Sequence, residues 1–245
     1  MAQTNSSPGY PFAIRYALFA VLLAMCGSQG AVAQDRPADF VDAATVVPGL
    51  IVEMRYAGSH NFTGRPVDGY QAPHCLLTRE AADALAAVAR DVAPHGLAVK
   101  VFDCYRPVRA VMNFVRWARD LNDQTAKPEF YPNVDKRTLF RDGYIASHSG
   151  HSRGSTLDLT LARTDGAELE SRELDRELDM GTHFDFFSPQ SWTADLTISP
   201  AQHANRMLLA AAMRRHGFRG YDKEWWHFTL RGEPFPETYF DFPVR

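Results

Sequence analysis

Two short stretches carry four side chains with the types and spacing of a hydrolytic metal site. SGHSRGSTLDLT, residues 149–160, holds His151 and Asp158, and DKEWWHFTL, residues 222–230, holds Glu224 and His227. In the first stretch Leu157, Leu159 and Leu161 alternate with Thr156, Asp158 and Thr160, so the pattern is a strand with Asp158 on its less apolar face. A buried carboxylate without a partner is strongly disfavoured, so a cation is expected to meet Asp158. His151 stands just ahead of this strand, and Gly154 between them lets the chain turn so that both side chains converge above the sheet. His227 lies on an aromatic strand, and a residue three positions away on an ideal strand faces the other side. Glu224 is therefore expected in the turn before that strand, leaning over the same cavity. His, Asp and His with a water in the fourth position is the arrangement of a catalytic zinc. Zinc lowers the pKa of its bound water to about 7, and Glu224 is suited to take that proton as general base and hand it to a leaving amine. The whole set is one for amide hydrolysis. His148 is three residues from His151, and the bare spacing leaves either as the ligand. Arg106 in FDCYRPVRA follows a strand and precedes Pro107. Its charge suits a developing oxyanion, and an ion pair with Asp103 is the plainer reading. The remaining histidines, His60, His74, His95, His183, His203 and His216, read as surface or loop residues.

Positioning these groups requires a framework, and the chain has the pattern for one. TREAADALAAVARDVAPHG places Thr78 as a cap, Glu80 in the first turn, and Leu85, Val88 and Val92 on one helical face. Leu97, Val99 and Val101 alternate against Lys100 in LAVKVFD, a strand pattern. RAVMNFVRWARDL has Val111, Phe114, Val115, Ala118 and Leu121 at helical spacing. SPAQHANRMLLAAAMRRHG has Ser199 as cap, Pro200 in the first turn and Gly217 at the end of a further helix. STLDLTL and WWHFTL supply two more strands. Neither a βαβ rhythm nor a glycine-rich phosphate loop is present, so the expected class is α+β, a small antiparallel sheet with flanking helices. The stretches from Tyr131 to Ala146 and from Glu168 to Asp195 read as long loops of the kind that carry function.

A charge of −3 over 245 residues, with 45% hydrophobic and 22% charged, describes a globular chain without the basic excess of a nucleic-acid binder. Its first 33 residues differ from the rest. Arg15 precedes the apolar run from Tyr16 to Cys26, and an A-x-A site ends at Ala33. This reads as a signal peptide cleaved after Ala33, with a lipoprotein signal at Cys26 as the alternative. The apolar run falls short of the roughly 20 residues a membrane span needs, so no stable membrane insertion is expected after cleavage. Residues 34–41 form a short N-terminal segment and 42–245 a single domain. The expected location is exported, in the periplasm. Cys75 and Cys104 then sit in an oxidising compartment, where a disulfide is expected rather than free thiols or zinc ligands.

The segments together resemble the D-alanyl-D-alanine dipeptidases of the VanX type, a branch of zinc peptidases that also includes D,D-carboxypeptidases and the hedgehog amino-terminal domain. The resemblance runs from about Val46 to the C-terminus. It rests on S-x-H-x-x-G-x-x-x-D (Ser149 to Asp158) and E-W-W-H (Glu224 to His227), supported by NFTG (61–64), VDGY (67–70), YRP (105–107), MGT-x-FDF (180–186) and YFDFPV (239–244). It implies one zinc ion per chain held by His151, Asp158 and His227, with Glu224 as catalytic base and Arg106 at the transition state. Tyr56 and Asp185 match positions that hold the substrate's free amino group. Ser149 matches one that helps fix the other end of the dipeptide, and His148 falls where the pattern needs no histidine. The implied activity is hydrolysis of D-Ala-D-Ala to two D-alanines, in cell-wall turnover or scavenging. The alternatives are a D,D-carboxypeptidase acting on longer wall peptides and a zinc-bearing binding module without turnover. ELESRELDREL before Met180 is longer than the family usually carries, and His183 falls inside MGT-x-FDF, so the pocket rim is expected to differ.

Overall fold

The computed structural model describes residues 1–2, 35–164 and 176–245. The leader reading, beyond its first two residues, and most of ELESRELDREL lie outside the described residues. Strand β4 (Leu97–Asp103) is the hub. It pairs antiparallel with β5 (Thr156–Arg163), which pairs antiparallel with β7 (Glu224–Leu230), which pairs antiparallel with β6 (Phe218–Tyr221). On the other side of β4 lies β2 (Ile51–Val52), and this pair is parallel. The main sheet thus has the order β2-β4-β5-β7-β6 and is mixed rather than purely antiparallel. A two-residue strand is too short to leave a periodic trace in sequence, which is why this edge was not expected. A second sheet pairs β1 (Phe40–Asp42) with β3 (Leu76–Thr78). Phe40 is buried among Tyr105, Phe240 and Phe242, so β1 packs with the rest of the domain.

Helix α1 (Arg79–Val92) starts where Thr78 accepts a hydrogen bond from Ala81 N, and it buries Leu85, Val88 and Val92 as the spacing requires. It packs on β4. Helix α2 (Val108–Arg119) follows Pro107, and Phe114 and Val115 lie on its buried face. Short helix α3 (Lys127–Phe130) precedes the stretch from Tyr131 to Ala146, and α4 (Leu139–Asp142) interrupts it. Helix α5 (Pro200–Arg215) opens with a full capping box between Ser199 and Gln202, and it packs on β6 and α1. The class is α+β, as the sequence leads one to expect.

Two features hold the framework. Lys136 is buried, and its ammonium donates to the carbonyls of Trp117, Asp120 and Asp123 at 2.8, 2.8 and 2.7 Å, closing the C-terminal end of α2. Without that ammonium the carbonyls lose their donor, at a cost of about 1–3 kcal/mol. Gly154, at φ 83°, ends the helical turn Gly150–Arg153 that carries His151. A side chain at this position would collide with the Phe40 ring, so both backbone and packing demand glycine.

Candidate active site

Register sets the centre. Asp158 of β5 is the direct antiparallel partner of His227 on β7, and Asp103 at the end of β4 lies opposite Asp158 on its other side. Directly opposed residues share a face, so three adjacent strands bring three polar side chains into one row. His151 enters from its turn. Its Nε2 lies 3.3 Å from Asp158 Oδ2 and 3.3 Å from Nδ1 of His227, whose Nδ1 is 3.0 Å from Asp158 Oδ1. One donor atom from each of His151, Asp158 and His227 lies within 4.8 Å of the other two. His148 is not in this group. It lines the same cavity from an exposed position, with its ring against Tyr239.

The protons are arranged for a cation. Nδ1 of His151 is 2.7 Å from the backbone carbonyl of Cys104, which can only accept, so Nδ1 carries the proton and Nε2 presents its lone pair to the centre. Asp158 Oδ1 is buried and makes no hydrogen bond, the 3.0 Å approach of His227 Nδ1 being poorly aligned for one. A buried carboxylate with one oxygen left in this way, beside an imidazole nitrogen from each of His151 and His227, fits a divalent metal. Burial works against ionisation of Asp158, but His151 and His227 outweigh it and hold its pKa below the ordinary carboxylate range. Burial lowers the pKa of His151 and keeps its ring neutral.

Glu224 stands on the first residue of β7, not in the turn before it. Its carboxylate still comes within 3.5 Å of His227 Nδ1. The reason is local: Tyr221 pairs with Glu224 across a register shift next to the hairpin turn, so period-two alternation does not govern this position. Burial pushes the Glu224 carboxyl up to about 7. Arg106 combines both of its sequence readings. Its Nε donates to Asp103 Oδ2 at 2.8 Å, while a terminal nitrogen reaches to 3.5 Å from Asp158 Oδ2. The guanidinium also lies 5.1 and 5.0 Å from the ring centres of Tyr56 and Phe114, which fixes its plane.

At the other side of the cavity Tyr56 donates to Asp185 Oδ2 at 2.7 Å, both side chains being buried. Asp185 is the one described residue other than glycine at positive φ, 62°, an uncommon conformation that aims its carboxylate inward. Burial, then the nearby Asp158, push its pKa well above the usual carboxylate value. The segment that presents it is anchored by buried Arg206, which donates to the carbonyls of Met180 and Trp192. Ser149 caps the His151 turn, its Oγ accepting from His151 N at 3.3 Å, and lines the cavity as well. The cavity has a volume of about 330 Å³, at the small end of ligand pockets. Both long loops read from the sequence reach it, one through Tyr144 and Ile145 and the other through Asp185 and Phe187.

Sequence reasoning gave Asp103 only as the ion-pair partner of Arg106, and missed Tyr70 and the Cys104 carbonyl behind these groups. Tyr70 donates to Asp103 Oδ1 at 2.6 Å, and Asp103 in turn orients Arg106. A charged residue closing the buried strand LAVKVFD was the available signal for Asp103. Nothing local marked the Cys104 carbonyl.

Comparison with known proteins places the chain among peptidases. Residues 36–245 match the peptidase M15 family, described as D-ala-D-ala dipeptidase. The D-alanyl-D-alanine dipeptidase of Enterococcus faecium is 42% identical over 200 residues, 82% of this chain and 95% of that protein. Its counterpart in Streptomyces coelicolor is 39% identical over 84% of this chain and 98% of the relative. That of Escherichia coli is 34% identical over 78% of this chain and 84% of the relative.

Proposed function

Given that this chain belongs to the peptidase M15 family of metal-dependent D-alanyl-D-alanine dipeptidases and hydrolyses D-Ala-D-Ala, we propose that its metal is zinc, one ion per chain, held by His151, Asp158 and His227. The observation that carries this is the convergence of those three side chains, with Oδ1 of Asp158 buried and without a hydrogen bond. Zinc in this donor set supplies a polarised water and a Lewis acid for the scissile carbonyl. Glu224 takes a proton from the water that attacks the carbonyl carbon, and returns it to the amide nitrogen as the C–N bond breaks. The terminal nitrogen of Arg106 faces the oxygen on which negative charge develops. Asp185 and Tyr56 receive the substrate's ammonium group, and Ser149 contacts the carboxylate end.

This division of labour favours a free dipeptide over the end of a longer peptide. An N-acylated substrate brings a neutral amide to Asp185, leaving a buried carboxylate without its cation. The leader pattern of residues 1–33 supports export, and the Cys75–Cys104 disulfide suits an oxidising compartment. The enzyme then acts on D-Ala-D-Ala outside the cytoplasm, in wall turnover or scavenging, and an uncut N-terminus on a cytoplasmic enzyme would contradict this location.

The purified protein, stripped by a chelator and reloaded with zinc, is expected to cleave D-Ala-D-Ala and to spare L-Ala-L-Ala and N-acetyl-D-Ala-D-Ala. Activity that survives metal removal sinks the metal reading. Preference for the acetylated substrate transfers the assignment to a D,D-carboxypeptidase.

A further inference from the structure

We propose that the Cys75–Cys104 disulfide is a positioning element of the metal centre, fixing the carbonyl that orients His151 and thereby raising the chain's affinity for its metal. The inference rests on the reading of His151 as a metal ligand. The ordered strand β4 ends at Asp103, and residues 104–107 run to α2 without helix or strand. This irregular stretch touches the His151 turn at three points. Cys104 offers its carbonyl to His151 Nδ1 at 2.7 Å, Arg106 N donates to the His151 carbonyl at 3.3 Å, and Ser152 Oγ donates to the Arg106 carbonyl at 2.8 Å.

The far side of the stretch is tied to the segment leading into β3. Cys104 is bonded to Cys75, with the two Cα atoms 5.2 Å apart, and Tyr105 N donates to the Leu76 carbonyl at 2.9 Å. From β3 the path returns to the metal-binding turn: Thr78 N donates to the Gly154 carbonyl at 2.8 Å, and Thr78 Oγ1 meets Ser155 Oγ at 2.7 Å. The disulfide is the covalent link in this closed circuit, and its Cys104 end carries the atom that sets the tautomer and the ring angle of His151. Both cysteines are fully buried, so the bond is a permanent part of the framework rather than an exposed redox sensor. Asp185 lies outside the circuit, whereas Arg106 and Ser149 join it to the substrate cavity.

The test is a metal titration of the metal-free double variant Cys75→Ala/Cys104→Ala beside wild type, using zinc for affinity and cobalt for its visible spectrum. Loss of an outer partner of a metal-bound histidine weakens metal affinity by about 10–100-fold. The double variant keeps the Cys104 carbonyl but frees its position, so a rise in the zinc dissociation constant up to this range is expected, with an altered cobalt spectrum and a lower kcat for D-Ala-D-Ala. Lys136→Met serves as a destabilised control outside both the circuit and the cavity lining, with a lower melting temperature and unaltered zinc affinity. Equal zinc affinity and equal cobalt spectra in the double variant and wild type overturn the proposal, whatever the melting temperatures. A wild type whose zinc affinity is indifferent to His151→Ala defeats instead the metal-ligand reading beneath it. Should the double variant not fold, metal-free wild type is reduced with a phosphine in mild denaturant and returned to buffer with its thiols blocked. Undiminished zinc affinity in its folded fraction is then the overturning result.

Discussion

Glu224→Gln is expected to lower kcat by about 10²–10⁴-fold, the range that a positioned general base contributes, while the protein keeps its fold and a full equivalent of metal. The substitution preserves shape and removes only the group that accepts a proton. Glu224 is not one of the three mutually close donors His151, Asp158 and His227, so metal content measured on the purified variant is expected to stay at the wild-type level. Stability does not fall, because burial already pushes this carboxyl up to about 7 and a neutral amide needs no compensating charge. Wild-type turnover in a metal-replete Glu224→Gln protein would remove Glu224 from the mechanism and move the base elsewhere.

The second large effect belongs to Asp185. Truncating one partner of a buried charge pair costs about 2–5 kcal/mol, so Asp185→Asn is expected to reduce kcat/KM for D-Ala-D-Ala by about 30-fold to several thousand-fold. Asparagine is among the residues that tolerate positive φ, so the loop keeps its conformation and the loss is one of charge. Tyr56 retains an acceptor in the amide oxygen. N-acetyl-D-Ala-D-Ala has no ammonium to lose, and its slow hydrolysis is expected to stay where it was, which shrinks the preference for the free dipeptide. Parallel losses for both substrates would show that Asp185 shapes the pocket without reading the amino group.

The two substitutions probe parts of the site that differ in how they were visible in the primary structure. His151, Asp158, Glu224 and His227 stand in two dense segments whose chemistry is local: a carboxylate in an apolar strand and a histidine in an aromatic one both demand explanation before any fold is known. Asp185 has no such context. A lone Asp among phenylalanines, far from Tyr56 in sequence, gained its meaning from the motif resemblance alone, and its positive φ is a property of the folded backbone.

Much of the framework was equally legible. Caps at Thr78 and Ser199, the helical stripes of α1 and α2, and the alternation of β4 and β5 are short-range signals, and they pointed to the α+β class. What the sequence alone determined, then, was the donor set and the elements that carry it, because ligand type, capping and periodicity act over a few residues. Only the tertiary structure decided the pairing of Asp158 with His227, the place of Glu224 on β7, the parallel edge at β2, and the Tyr70 and Cys104 supports behind Asp103 and His151. Strand register, turn geometry and backbone carbonyls are set by contacts between distant segments, and a carbonyl is the same in every residue type, so no residue pattern announces which one will hold a metal ligand in place.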